Sequence, residues 1–169
     1  MENLVSLYTT FDGRIGRKTF WLWSIALAVV IFIISYIVNA VLGNSNVVID
    51  PSATPEAIAA AVSGVVQRSA WVSLALTIIF GFPTLALMTK RRHDKDNNGL
   101  DVKIFYGLEV IVLILQGLGL TFNVVGMVLG VIVGIFGIYL LVVLGFLKGT
   151  TGPNSYGPDP LTSGAVAAA

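Results

Sequence analysis

The residues able to do chemistry in this chain stand in three short runs. The first is Phe11-Asp12-Gly13-Arg14-Ile15-Gly16-Arg17-Lys18-Thr19-Phe20-Trp21. The second is Lys90-Arg91-Arg92-His93-Asp94-Lys95-Asp96-Asn97-Asn98-Gly99, and the third Gly152-Pro153-Asn154-Ser155-Tyr156-Gly157-Pro158-Asp159-Pro160. Arginine presents a planar fork that fits a phosphate or a carboxylate. Arg14, Arg17, Lys90, Arg91 and Arg92 therefore point to an anionic lipid headgroup or to the acidic segment of a partner. The same residue types have a second use. Asp12, Asp94 and Asp159 can pair with the arginines and lock helix ends together, with Asn154 and Tyr156 beside them. Mere topogenic charge explains the arginines but not the Gly, Asn, Tyr and Pro around them. A His next to a carboxylate, as His93 next to Asp94, also suits general acid–base work. Neighbours in sequence do not face each other on a helix, however, and no nucleophile or second histidine completes a catalytic set. No catalytic residue is assigned.

Composition narrows the chemistry further. The chain has no cysteine and one histidine, which excludes disulfides, thiolate metal sites, iron–sulfur clusters and multi-histidine metal sites. No metal and no cofactor is expected. The basic residues are too few, and too close to apolar segments, for nucleic-acid binding.

The elements that must position these runs are apolar. Of 169 residues 56% are hydrophobic and only 11% are charged, whereas a soluble domain carries about 25% charged residues. Such a chain cannot cover itself with a water-facing surface. Four apolar segments, at about 19–42, 69–89, 104–122 and 124–147, match the ~20 residues needed to cross a bilayer core. The reading is an all-α integral membrane protein, a four-span antiparallel helical bundle. Residues 1–18 form a cytoplasmic N-terminal segment, 19–160 the membrane domain with its motif loops, and 161–169 a flexible C-terminal tail. The first apolar run is too long for a cleaved signal peptide.

Arg14, Arg17 and Lys18 precede the first span, Lys90, Arg91, Arg92, Lys95 and Lys103 lie between the second and third, and Lys148 follows the fourth. Only Arg68 lies in a loop on the other side. Positive charge stays in the cytoplasm during insertion, so both termini are placed there, and all three motif runs emerge on one side where they can meet. In the outer loop, 43–68, Thr54, Pro55 and Glu56 are a helix start, whose helix either extends the second span or lies on the membrane surface. Around Thr121 and Asn123 the third and fourth spans are joined by a tight hairpin.

Inside the spans, Gly126, Gly130 and Gly134 recur every four residues and form a groove for close helix packing, within the bundle or between two copies. Gly81 and Pro83 are expected to kink the second span. Glu109, with Gln116 on the same face, is the one acidic side chain inside a span. It either pairs with Lys18, Lys103 or an arginine, or serves a proton or cation path. Tyr36 and Asn39 are expected to bond across helices.

The three runs together resemble the domain of unknown function 805 family of small bacterial inner-membrane proteins. The likeness is carried by Phe11, Gly13, Arg14, Arg17, Phe20 and Trp21, then by Lys90, Arg91, His93 and Asp94, then by Gly152, Asn154, Tyr156, Gly157, Asp159 and Pro160. It covers the chain from about Phe11 to Pro160. The family's Ser-Gly-Trp after His-Asp is replaced here by Asn98-Gly99-Leu100. The resemblance implies a bacterial inner-membrane location and no particular activity. The functional expectation is a non-enzymatic inner-membrane protein whose motif cluster locks the helix ends or binds an anionic phospholipid or a membrane partner, a second copy included. Two alternatives stand beside it: a small transporter or channel component using Glu109, and a membrane enzyme using His93 and Asp94.

Overall fold

The computed structural model describes residues 4–44, 52–121 and 123–161. The middle of the loop after the first span, most of the expected tail, and Phe122 lie outside them. Five α-helices follow in order: α1 (Leu4–Thr9), α2 (Arg17–Val41), α3 (Pro55–His93), α4 (Leu100–Gly117) and α5 (Val124–Leu141), the last running on into a π-helical turn, Val142–Phe146. No strand occurs among the described residues. Three helical stretches, Arg17–Val41, Pro55–His93 and Val124–Phe146, are long and apolar enough to cross a membrane. α4 has 18 residues and includes Asp101, Lys103 and Glu109, and so falls short of them in apolar character.

α2 shows why an apolar surrounding is required. Of its 25 residues only Phe20 is buried, and Phe32, Ile33 and Ile37 face outward. No soluble fold leaves such a contiguous apolar surface open. The 39 residues of α3 span about 58 Å at 1.5 Å per residue, well beyond the ~30 Å hydrocarbon core. Its first turns, capped by the Thr54 side chain on the Ala57 N–H, are the extension of the second span. Its last turn, Lys90 to His93, lies beyond the apolar stretch at the end shared with the chain termini, here called the motif end.

The far ends of α2 and α4 stop in the same way. Gly119 has φ +74°, and the N–H groups of Gly119 and Leu120 turn back to the carbonyls of Gln116 and Leu115. Gly43 and Asn44 do the same to Ala40 and Asn39. This is the glycine-centred stop that leaves no terminal carbonyl bare, and it ends α4 at Gly117, short of the expected 122. Asn123 then caps α5 by accepting from the Gly126 N–H at 2.8 Å, which makes the expected hairpin.

α3 and α4 are locked by two reciprocal pairs. Tyr106 lies where Gly81 has no side chain, and a Cβ on Gly117 would stand 2.6 Å from the ring of Trp71. Buried apolar side chains otherwise gather at the motif end, where Leu7 of α1 and Ile15 join Phe20, Leu87, Val102, Leu140 and Leu144. α1 itself is absent from the sequence expectations, because six residues carry too little periodicity to read.

Candidate functional site

Asp94 follows the last residue of α3 and receives two of the three buried arginines, Arg14 and Arg91. Arg14 reaches it from the α1–α2 connection, with Nε and Nη2 at 3.3 and 3.1 Å from Oδ1. Arg91, one turn back on α3, donates from Nη1 to Oδ2. Arg14, Arg91 and Asp94 are 5%, 0% and 4% exposed, so each charge is taken out of water and compensated internally.

The remaining guanidinium nitrogens reach for backbone carbonyls. Arg14 Nη1 donates to Gly152 at 2.8 Å and Gly157 at 3.2 Å, and Nη2 donates to Thr150 at 2.8 Å. Arg91 donates from Nε to Leu144 at 2.7 Å and from Nη2 to Leu147 at 2.6 Å. A helix C-terminus leaves its last carbonyls without intrahelical partners. Here other segments supply partners: besides Leu144 and Leu147, the Gly145 carbonyl accepts from Trp21 Nε1 and the Phe146 carbonyl from Arg17, both at 3.0 Å. The C-terminal end of α5 and its π-helical turn is thus capped by side chains of α2 and α3, with cations at the negative end of its dipole.

The third run closes over this knot. Thr150 N–H donates to the Asp94 carbonyl at 2.8 Å. Asn154 Nδ2 donates to the His93 carbonyl and to Thr150 Oγ1, both at 2.9 Å, while its Oδ1 receives the Tyr156 N–H. Tyr156 stacks on the His93 ring at 3.8 Å between centroids. His93 Nδ1 lies 3.2 Å from the Gly13 carbonyl; a carbonyl only accepts, so this nitrogen carries the proton. Burial lowers the His93 pKa from the ordinary histidine value, and the Gly13 carbonyl and Asp12 offset it only in part. His93 and Asp94 point to different partners and form no catalytic pair.

Several expected pairings fall elsewhere. Asp159 accepts the N–H groups of Gly152 and Leu161, each at 2.9 Å, and these, Leu161 first, hold its pKa below the usual aspartate value, with the Arg14 charge adding to them. Asp12 is exposed and pairs with no arginine among the described residues. Arg17 and Lys18 are also exposed, and Arg17 meets the Phe146 carbonyl only. Buried Lys90 donates to the Ser6 carbonyl of α1. Arg92 pairs instead with Asp101 in the first turn of α4, at 3.0 Å.

Glu109 is partly buried and, among the described residues, forms neither the expected ion pair nor a hydrogen bond; the Gln116 side chain likewise has no bond. Gly126 is closed in by the Leu120–Thr121 turn, whereas a Cβ on Gly130 or Gly134 would meet nothing within 4 Å. α4 therefore does not fill the glycine groove. α4 meets α5 lower down, where Phe105 packs against Phe136 and Gly137. Asn39 reaches α3 only through Asn44, which accepts from Arg68 Nε at 2.9 Å. Tyr36 is 65% exposed and bonds no other helix. Residues that the sequence did not single out include Thr150, Asp101, and Gly149, where any side chain would run into Asp94.

An all-helical protein with three bilayer-length apolar helices and its buried charges gathered at one end is a membrane protein. It belongs to the DUF805 family, described as proteins of unknown function, which it matches over residues 8–158. Neither the curated proteins nor the solved structures contain a match to it.

Proposed function

We propose that this chain is a non-enzymatic, four-span protein of a bacterial inner membrane, with both termini in the cytoplasm. Its Arg14–Asp94–Arg91 knot is a structural clamp on the helix ends, and the protein acts through its bilayer-facing surface. One observation carries the reading: every nitrogen of Arg14 and Arg91 bonds within the chain, to Asp94, to Thr150 or to the carbonyls of Gly152, Gly157, Leu144 and Leu147. Neither fork is left to hold a phosphate or a substrate. α4 serves as the third span, with Asp101 and Lys103 at the headgroup level. The basic residues flanking the motif end support its cytoplasmic side.

The natural lack of cysteine makes the test direct. Ala53→Cys and Ser155→Cys variants are exposed to a membrane-impermeant maleimide on intact spheroplasts. Label on residue 53 alone, with residue 155 reacting only after permeabilisation, is the expected result. Label on residue 155 in intact cells overturns the orientation.

A further inference from the structure

The backbones of α2 and α5 stay apart, with no Cα of one within 8 Å of a Cα of the other. α5 leans on α4, and only the backbone of its π-helical turn comes that close to α2 and α3. The gap is a lateral cleft of about 400 Å³, lined by Trp21 and Ala28 of α2, Leu87 of α3, Phe105 of α4, and Gly137 and Leu140 of α5. That volume lies within the ~300–1,000 Å³ of small-ligand sites. Ser24 and Thr84 are the hydroxyls in its wall, and Thr84 turns its own back to the Phe80 carbonyl at 2.8 Å. Its occupant must be hydrocarbon.

The mouth is different. Residues 17, 18, 21, 25 and 28 fall on one stripe of α2 by their three- and four-residue spacing. The stripe that lines the cleft therefore runs out at the motif end through Arg17 and Lys18. Both are exposed, and neither meets a carboxylate among the described residues. Arg17 is already fixed by the Phe146 carbonyl at 3.0 Å, which leaves other N–H groups of its fork to face outward. An apolar slot ending at two uncompensated cations complements an amphiphile with an acyl tail and an anionic head.

We infer that an anionic phospholipid of the surrounding leaflet occupies this cleft, one acyl chain between α2 and α5 and its phosphate at Arg17 and Lys18. The site is separate from the Arg14–Arg91 knot, whose forks are engaged. It rests on the reading that the chain is membrane-embedded with the motif end at the cytoplasmic face.

The test is native mass spectrometry of the full chain from nanodiscs of equal phosphatidylglycerol and phosphatidylcholine, with circular dichroism melts of each variant. Wild type is expected to retain phosphatidylglycerol. Arg17→Gln/Lys18→Gln should lower that retention by about 30-fold, from ~1 kcal/mol for each cation near an anionic headgroup, while phosphatidylcholine retention stays as in wild type. Ala28→Phe, which fills the slot, should remove both lipids. Undiminished phosphatidylglycerol on the double variant, lipid retained by a normally melting Ala28→Phe, or a lipid-free dimer whose contact is lost in Ala28→Phe would each overturn the proposal. If Ala28→Phe fails to fold, Ile25→Trp at the same wall replaces it. Maleimide labelling of the same variants separates the two readings: lost lipid selectivity with intact topology rejects the cleft site alone.

Discussion

The hydroxyl of Tyr106 on α4 donates to the Thr77 carbonyl of α3 across a gap that exists because residue 81 is glycine. Gly81→Ala places a methyl group on that oxygen. Overpacking of this kind costs about 1–3 kcal/mol, and a lowered melting temperature in detergent is the expected outcome. Adding Tyr106→Leu should recover part of the loss. Gly134→Ala is the control, since its methyl group meets nothing within 4 Å, and its melt should equal or slightly exceed wild type, because alanine is the better helix former. Equal losses for the two glycines would remove the Tyr106 seat as the cause, since intrinsic helix propensity favours alanine at both positions.

Asp94→Ala leaves Arg14 and Arg91 buried without their shared counter-charge. Removing one partner of a buried ion pair costs about 3–5 kcal/mol, a large part of the ~5–15 kcal/mol that holds a folded domain together. The variant is expected to lose its cooperative melt or to aggregate on gel filtration. Asp94→Asn keeps the shape and an acceptor but not the charge, and should fall between. A wild-type melt for Asp94→Ala would remove the clamp from the argument.

The meeting of the three motif runs is legible from the chain, because each leaves an apolar segment on the same side. The partners within the knot are not. Nothing in the residue types prefers Asp94 over Asp12 or Asp159 for Arg14. That choice depends on the path of the connection, which the Ile15 N–H ties to the Lys90 carbonyl. The carbonyls of Leu144 and Leu147 leave no mark in a sequence, since every residue has one. The glycine stripe reads as a close-approach surface from its spacing alone, yet within the chain only Gly126 is closed in, while Gly130 and Gly134 stay open because α4 meets α5 at Phe105 and Gly137 instead.

Burial of His93 makes stability depend on pH in a defined direction. Its folded-state pKa is lowered, so below the ordinary value of about 6.5 the unfolded chain binds more protons than the folded one. The contribution is fully present above about 6.5 and is lost as the pH falls towards the folded-state value. Melting temperature should be flat from about pH 8 to 7 and drop by about pH 5.5, a window above most carboxylate titrations. His93→Gln keeps a donor for the Gly13 carbonyl and should flatten the profile. A drop unchanged in His93→Gln would assign it to another group.

Asn154 joins the tail to the end of α3 through both ends of its amide, donating to the His93 carbonyl and accepting from the Tyr156 N–H. Its replacement by alanine removes the bond that holds the tail over Arg14 but leaves the Arg14–Asp94 pair in place. The expected effect is local opening rather than global loss, because segments with few buried apolar contacts open independently of the core. Limited trypsin digestion reads this at Lys148, which is exposed but carries the tail directly behind it. Asn154→Ala should be cut there several-fold faster, with a melting temperature close to wild type and the Asp94 and His93 dependences unchanged. If cutting stays slow, the bonds of the Thr150 N–H to the Asp94 carbonyl and of the Gly152 N–H to Asp159 hold the tail by themselves, and Thr150→Pro/Asp159→Ala, which removes that donor and that acceptor, becomes the variant that must release it.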